Sequence, residues 1–379
     1  VTREELAAGA RAVLEAAWDP VGYTAPSPER YPWQWLWDSC FHAIAWAELG
    51  DDRGVTELDR LLGARDGEGF VPHILYAPHP SPHVAFWGRD GASSITQPPM
   101  HGHALAELVR RGVVVPERLL DASTAALRFL LDVRRRHASG LVRLCHPWES
   151  GADDSPRWDD WYGSPFAAAE VFRIKGELLG AVTRSAGGAP IDNEAFDVAS
   201  ASFNALVVFN GRELAALTGD DHLLADIDEL AAVLDGQWDG VSRTWVDAGS
   251  SAGGSGRIRT VDSLLGALVS GHVDRVRAVL GDTVDATAFG GACGPAGVHR
   301  DEPTFDPGSY WRGSAWPQLT YLLWIAATRR GLAVEAAAMR ASMLRGVDAS
   351  AWAEHWHADD GSARGAVPQS WATLALVMA

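Results

Sequence analysis

The chain has few cysteines, no long apolar runs and no basic tract. Its 379 residues hold three cysteines, Cys40, Cys145 and Cys293, far apart and without a CxxC pair. Three cysteines cannot all pair with one another, which argues against a disulfide framework and for free thiols in the cytoplasm. No apolar run reaches the roughly 20 residues of a membrane span, so no membrane role is expected. The opening Val1-Thr2-Arg3-Glu4-Glu5 reads as a helix start rather than a secretory leader. Lysine and arginine total 32 against 49 acidic residues, a net charge of −17. A surface of that sign repels phosphate backbones and anionic lipid, which argues against nucleic acid as a partner. Strand-like alternation is scarce, no Gly/Ser linker divides the chain, and no fixed period marks a solenoid. The Gly249 to Gly256 tract reads as a flexible surface loop between helices.

What is present is helix. Alanine and leucine recur at helical spacing in Glu4 to Trp18, Asp38 to Leu49, Gly54 to Ala64, His103 to Arg111 and Pro116 to Arg136. They do so again in Pro165 to Val182, Asn193 to Leu217, His222 to Leu234, Thr260 to Leu268 and Val273 to Leu280. Ala315 to Arg330, Ala333 to Leu344 and Pro368 to Met378 complete the series. Pro116 and Pro165 suit first turns, and Gly50, Gly112 and Gly331 suit helix ends. Some joints are tight, such as Gly50-Asp51-Asp52 and Gly219-Asp220-Asp221; others are long, such as Arg65 to Pro99, His137 to Ser164 and Gly281 to Tyr310. Long joints in a compact domain are usually functional. The alternation predicts an all-α ring of paired helices, a single domain over 1–379, with the long joints forming a funnel mouth. Arg65 to Pro99 contains Pro72, Pro78, Pro80, Pro82, Pro98 and Pro99, so it reads as a non-helical, mobile cover that offers Tyr76, Phe86 and Trp87 to a ligand.

Tryptophan is abundant, with 17 residues clustered in polar segments. The densest segment runs from His146 to Asp160 and carries Glu149, Asp153, Asp154, Asp159, Asp160, Trp148 and Trp158. Its one cation is Arg157, and it has no lysine. Carboxylates do acid–base work on glycosidic bonds, and indoles stack on the apolar faces of sugars. An acidic, helix-capping surface loop is the competing reading. All five carboxylates compete for the role of proton donor, and residue chemistry alone does not choose among them.

Four further segments carry the same chemistry. Tyr31-Pro32-Trp33-Gln34-Trp35-Leu36-Trp37-Asp38 sets Asp38 at a helix start beside an indole wall. Asp38 fits either a helix cap or an acceptor for two sugar hydroxyls. In Thr96-Gln97-Pro98-Pro99, Gln97 is a rigidly held amide. His101 and His103 follow, but their spacing is not the i, i+4 of helical metal ligands, so neither a metal nor an organic cofactor is expected. Tyr310-Trp311-Arg312-Gly313-Ser314-Ala315-Trp316-Pro317 gathers two indoles, a phenol and a guanidinium; Gly313 there permits close approach of backbone to a ligand, and an aromatic core plug is the alternative. Trp352-Ala353-Glu354-His355-Trp356, followed by Gln369-Ser370-Trp371, supplies a second carboxylate, Glu354, far from the first.

Taken in order, these five segments resemble glycoside hydrolase family 63. The likeness is strongest to its compact branch of mannosylglycerate and glucosylglycerate hydrolases. The resemblance implies an (α/α)6 barrel and an inverting exo-acting α-glycosidase, such as an α-glucosidase, acting on a small carbohydrate. It implies Asp153 as general acid, from the motif Ser150-Gly151-Ala152-Asp153, and Glu354 as general base. It implies that Tyr31, Trp35, Asp38, Gln97, Trp311, Trp316 and Gln369 line the sugar pocket; beside this, the rings of Trp148 and Tyr310 are expected to offer stacking faces for the aglycone. Glu149, Asp154 and Trp148 are expected to raise the pKa of Asp153.

The chain departs from the branch in two places. Asp154 stands where the branch usually has asparagine. Ala189-Pro190-Ile191-Asp192 stands where an Arg-Pro-Thr-Asp stretch supplies the cation for a glycerate carboxylate. Only Arg184 or Arg312 is left to replace it, so a neutral leaving group is expected over glycerate. Alternatives are a glucosylglycerate or mannosylglycerate hydrolase, a non-catalytic carbohydrate-binding protein, or an epimerase-like protein on the same ring. The choice between glucose and mannose and the oligomeric state stay open.

Overall fold

The computed structural model describes residues 2–80, 83–163, 168–249 and 254–379. Pro82, Pro165 with the helix start expected there, and part of the Gly249 to Gly256 tract lie outside them. The chain winds as successive pairs of helices, one outer and one inner. The first pair is α1 (Arg3–Ala17) and α2 (Leu36–Glu48), and the second is α3 (Arg53–Gly63) and α4 (His101–Arg110). In the third, α5 (Glu117–Arg128) leads through an additional helix, α6 (Ala168–Gly180), to α7 (Ala201–Thr218). In the fourth, α8 (Asp221–Asp235) pairs with a 3-10 helix, Asp262–Leu268. The last two pairs are α9 (Val273–Asp282) with α10 (Pro317–Arg329), and α11 (Ala333–Ser350) with α12 (Leu374–Met378).

The inner elements form a closed ring. Helix α2 packs on α4, α4 on α7, α7 on the 3-10 helix, that helix on α10, α10 on α12, and α12 back on α2. This is the (α/α)6 arrangement. Burial follows from position. Inner α2 is buried from Leu36 to Ala47 without interruption, as a helix enclosed on all sides must be. Outer α3 buries Gly54, Glu57, Leu58, Leu61 and Leu62, a single stripe at helical spacing. Inner-to-outer joints are short, as at 49–52 and 219–220, whereas outer-to-inner joints are long and gather at the opposite end. Gly50, Gly112 and Gly331 terminate helices at φ near +70° to +78°, where a side chain would be strained.

Several helix boundaries differ from the sequence expectation, for local reasons. The helix expected from Asn193 begins at Ala201: Asn193 caps a 3-10 turn, Val198–Ala199 pairs with Ala248–Gly249, and Ser200 is the true cap. Thr260 to Leu268 narrows to a 3-10 helix because the Ser263 hydroxyl takes the Thr260 carbonyl at 2.6 Å. Pro368 to Met378 starts later because Gln369 N–H is held by the Trp352 carbonyl and Ser370 N–H by that of Pro26. The stretch from Arg65 to Pro99 is not wholly non-helical. It contains a short helix, Val84–Trp87, and a strand, Ile74–Leu75, that pairs with Gln34–Trp35. All three cysteines are free and buried, and among the described residues no helix is long and apolar enough to cross a membrane.

Candidate active site

The long joints enclose a cavity of about 480 Å³. Five of the six outer-to-inner joints line it: the first with Tyr31 and Trp35, the second with Gln97, the third with Asp153, the fifth with Tyr310 and Trp311, and the last with Glu354 and Gln369. Asp38 closes the floor from the first turn of α2. It does not cap that helix; the cap position is Trp35, and no side chain bonds there. Burial instead drives the Asp38 carboxyl up to about 7, against the pull of His42 and the hydrogen bond with Gln369. The Gln97 side-chain oxygen accepts from Trp37 N–H at 3.4 Å, which fixes the amide plane at the cavity wall.

Distant partners separate the five competing carboxylates. Glu149 is fully buried and held by Arg134 at 2.9 Å, with Thr96 and Cys145 N–H groups at 3.2 and 2.7 Å. Asp159 pairs with Arg312 at 2.9 Å, Asp160 accepts from Ser255 N–H at 3.1 Å, and Asp154 holds the Lys175 ammonium at 2.5 Å. Asp153 is the one of the five that lines the cavity. Two details of the chain set it there. Gly151 sits at φ +75°, where a Cβ would lie 2.6 Å from the Trp37 ring, so only glycine lets the turn press on that indole. The Trp158 indole then donates to the Ala152 carbonyl at 2.7 Å, and Tyr162 O–H to that of Asp153 at 3.0 Å. Burial pushes the Asp153 carboxyl up to about 7; Lys175 opposes this, and Asp154 and Glu354 add to it. Glu149, neutralised by Arg134, is not among these influences, contrary to the sequence expectation.

Glu354 immediately precedes the strand His355–His357, which pairs with Ser314–Ala315 on one side and Ala363–Arg364 on the other. Its carboxylate accepts from Ala366 N–H at 2.9 Å and Tyr310 O–H at 3.1 Å, with Tyr31 O–H at 3.4 Å. Burial raises its pKa, and these donors hold it down. Gly365, at φ +72°, leaves room for it: a Cβ there would stand 2.4 Å from Oε2.

A second chamber of about 830 Å³ opens from the first and shares Tyr31, Trp35, Gln97 and Asp153 with it. Trp33, Tyr76, Trp87, Trp148, His73 and Ile74 line it, with Arg30 and His83. Trp148 therefore belongs to this chamber and not to the first. Tyr76 and Trp87 line it too, whereas Phe86 packs behind Trp87 and Trp148.

Two expectations need correcting. Trp316 does not line either chamber; it is buried and stacks between Trp311, at 3.7 Å and 7°, and His355, at 4.5 Å and 19°. It backs the wall because Pro317 turns the chain straight into α10. Gly313 makes its close approach to the backbone of Asp306 and Pro307, not to a ligand. His101 and His103 are buried on α4, facing Ser123 and Tyr321, and line neither chamber. Sequence reasoning missed Trp37 and Trp371, which line the first chamber, and Trp33 and His73, which line the second. It also missed Lys175, the only lysine in the chain, and that singularity was the signal that could have found it.

The geometry has counterparts. A sequence profile described as the mannosylglycerate hydrolase MGH1-like glycoside hydrolase domain matches residues 31–372. A glucosylglycerate hydrolase of Mycolicibacterium hassiacum is 28% identical, over 93% of each chain. A mannosylglycerate hydrolase of Rubrobacter radiotolerans is 27% identical, over 99% of this chain and 96% of its own. The crystal structure of a GH63 mannosylglycerate hydrolase from Thermus thermophilus in complex with Tris superposes with a TM-score of 0.86, at 26% identity, over 98% of this chain and 99% of that one.

Proposed function

The chain belongs to the mannosylglycerate hydrolase MGH1-like family of glycoside hydrolase domains, and from that premise we propose that it is an inverting, exo-acting α-glycosidase. Its substrate is a small α-glucoside or α-mannoside, and the ring acts as one catalytic domain. The observation that carries this reading is a pair of carboxylates on one cavity, Asp153 with its pKa near 7 and Glu354 held by three donors. Asp153, protonated, gives its proton to the glycosidic oxygen as the bond to the anomeric carbon breaks. Glu354, ionised, takes a proton from a water that attacks that carbon from the opposite face. The product sugar carries the new hydroxyl with inverted configuration, and the aglycone leaves as an alcohol. An inverting pair needs roughly 6.5–9.5 Å between carboxyl groups to admit the water.

Asp38, Gln97 and Gln369 hold hydroxyls of the terminal sugar, and Trp35 and Trp311 face its ring. The buried Asp38 on this cavity supports exo action, because a buried carboxyl suits the hydroxyls of a terminal sugar. Of the cover expected over residues 65–99, Tyr76 and Trp87 wall the neighbouring chamber and Gln97 the catalytic cavity. Three buried, unpaired thiols support a cytoplasmic location.

The test is direct. Asp153→Asn and Glu354→Gln are expected to lower hydrolysis of an unactivated α-glycoside by more than about a thousandfold, with folding intact. Proton NMR is expected to record the β-anomer first. Early α-anomer, or near-normal turnover by either variant, overturns the reading. The names of the relatives favour a second reading, in which the aglycone is glycerate.

A further inference from the structure

Resting on Asp153 as the proton donor, the space beside its carboxyl receives the leaving group, and the second chamber is the one that shares Asp153 with the catalytic cavity. We propose that this chamber is built for an uncharged ring, a second pyranose, and not for a glycerate.

Three observations carry this. The first is the wall. Trp33 and Tyr76 meet edge to face at 5.1 Å, Trp87 and Trp148 lie 5.6 Å apart, and Trp87 Nε1 donates to Tyr76 Oη at 2.7 Å. Each ring fixes its neighbour, so the indole faces are held in place before a ligand arrives. Trp33, Trp35 and Trp148 keep part of their surface exposed. Indole faces of this kind stack on the C–H faces of pyranoses, whereas a three-carbon acid has no face to offer them.

The second is size. The chamber offers about 830 Å³ of space, part of it open to solvent, in addition to the catalytic cavity of about 480 Å³. A glycerate fills a small part of it.

The third is charge. His73 is held neutral, because burial drives its pKa down to about 3. Arg184 donates to the Ser94 carbonyl at 2.8 Å and hydroxyl at 3.0 Å, so it does not replace the missing glycerate cation. Arg312 is tied to Asp159, and Lys175 to Asp154. None of the three lines the chamber. Arg30 is the one arginine or lysine that does, among the described residues, and it lies exposed, over the Tyr31 ring at 5.7 Å. A solvated guanidinium at the rim is a weak anchor for a carboxylate that must lie beside Asp153, the one carboxyl lining the chamber among the described residues.

The experiment compares kcat/KM of the unaltered enzyme across three groups of substrate. The first is α-glucosyl and α-mannosyl fluoride, whose leaving group needs no chamber. The second is a panel of neutral α-linked glucose and mannose disaccharides. The third is glucosylglycerate and mannosylglycerate. The best disaccharide is expected to exceed both glycerate conjugates by at least tenfold. Trp33→Ala is expected to lower the ratio of disaccharide to fluoride turnover about tenfold, mainly through KM, and Trp33→Phe to restore most of it. Turnover of a fluoride with a glycerate conjugate preferred, or an unchanged ratio in Trp33→Ala, overturns the neutral-ring subsite alone. An enzyme inert to both fluorides overturns the glycosidase reading and the subsite with it.

Discussion

Asp153 is held between opposing charges, and its neighbours can be used to tune it. Burial raises its pKa first; Lys175 lowers it, and Asp154 and Glu354 raise it. A raised acid keeps its proton to higher pH, so kcat/KM should fall as pH rises through about 7, the value to which Asp153 is pushed. The acidic limb belongs to Glu354, which must be ionised to act. Removing one partner of the Asp154–Lys175 pair moves the basic limb in a defined direction. Asp154→Asn deletes an anion and frees the ammonium, so the limb should move to lower pH. Lys175→Met deletes the cation and frees an anion, so it should move to higher pH. Profiles of kcat/KM against pH check both signs; movement in the same direction would refute the assignment. Stability carries a linked signature. The native state binds a proton here that the unfolded chain releases at an ordinary carboxylate pKa, so stability is lost as pH rises through about 7. Asp153→Asn should therefore raise Tm more at pH 8 than at pH 5. The bound on the gain is about 4 kcal/mol, from roughly three pKa units at 1.36 kcal/mol each. An equal Tm change at both pH values would mean that the carboxyl ionises normally.

At the scale of elements, the chemistry sits on joints and the helices only aim it. That division explains what the sequence allowed one to read. Helices follow from the spacing of alanine and leucine, and a ring follows from short joints alternating with long ones, because both signals are local. The acid was not legible from residue types. Glu149, Asp154 and Asp159 are removed from contention by Arg134, Lys175 and Arg312, and all three of these cations lie outside the segment that carries the carboxylates. The second chamber was hidden for the same reason: Trp33 comes from the first joint, Tyr76 and Trp87 from the second, and Trp148 from the third. Trp316 was misread because a stack behind a wall has the same composition as the wall. Joints also need clearance, and Gly365 tests this. Alanine at its φ of +72° costs about 1–2 kcal/mol of strain. Its Cβ would also meet Glu354 Oε2 at 2.4 Å, so the carboxylate must move. Displacement of a catalytic group by about 1 Å costs on the order of a hundredfold in rate. Gly365→Ala should thus lose kcat about a hundredfold while the protein stays folded, and a near-normal kcat with lowered Tm would reduce Gly365 to a structural role.

At the scale of the molecule, ring closure and net charge act together on the substrate. The ring closes where α12 meets α2, and the buried groups at that seam are shared: His42 of α2 bonds Glu57 of α3 at 2.9 Å and the Ser370 hydroxyl at 2.5 Å. Ser370 adjoins Gln369, so the floor of the cavity is anchored in the seam itself. The mouth formed by the long joints is surrounded by a protein of net charge −17. A charge of that size repels an anionic substrate over about 30 Å at 0.01 M salt and over about 3 Å at 1 M. A neutral disaccharide does not feel this field. Raising salt from about 0.01 to 0.5 M should therefore increase kcat/KM for a glycerate conjugate severalfold and leave a neutral disaccharide within about twofold. The sign matters more than the size. If salt instead lowers kcat/KM for the glycerate conjugate, a local cation outweighs the field of the whole chain. Among the arginine and lysine residues described, only Arg30 lines the second chamber and is placed to do that. Arg30→Gln would then reverse the salt dependence, leaving the field of the whole chain to act, and the leaving-group chamber would have to be reassigned to an acid.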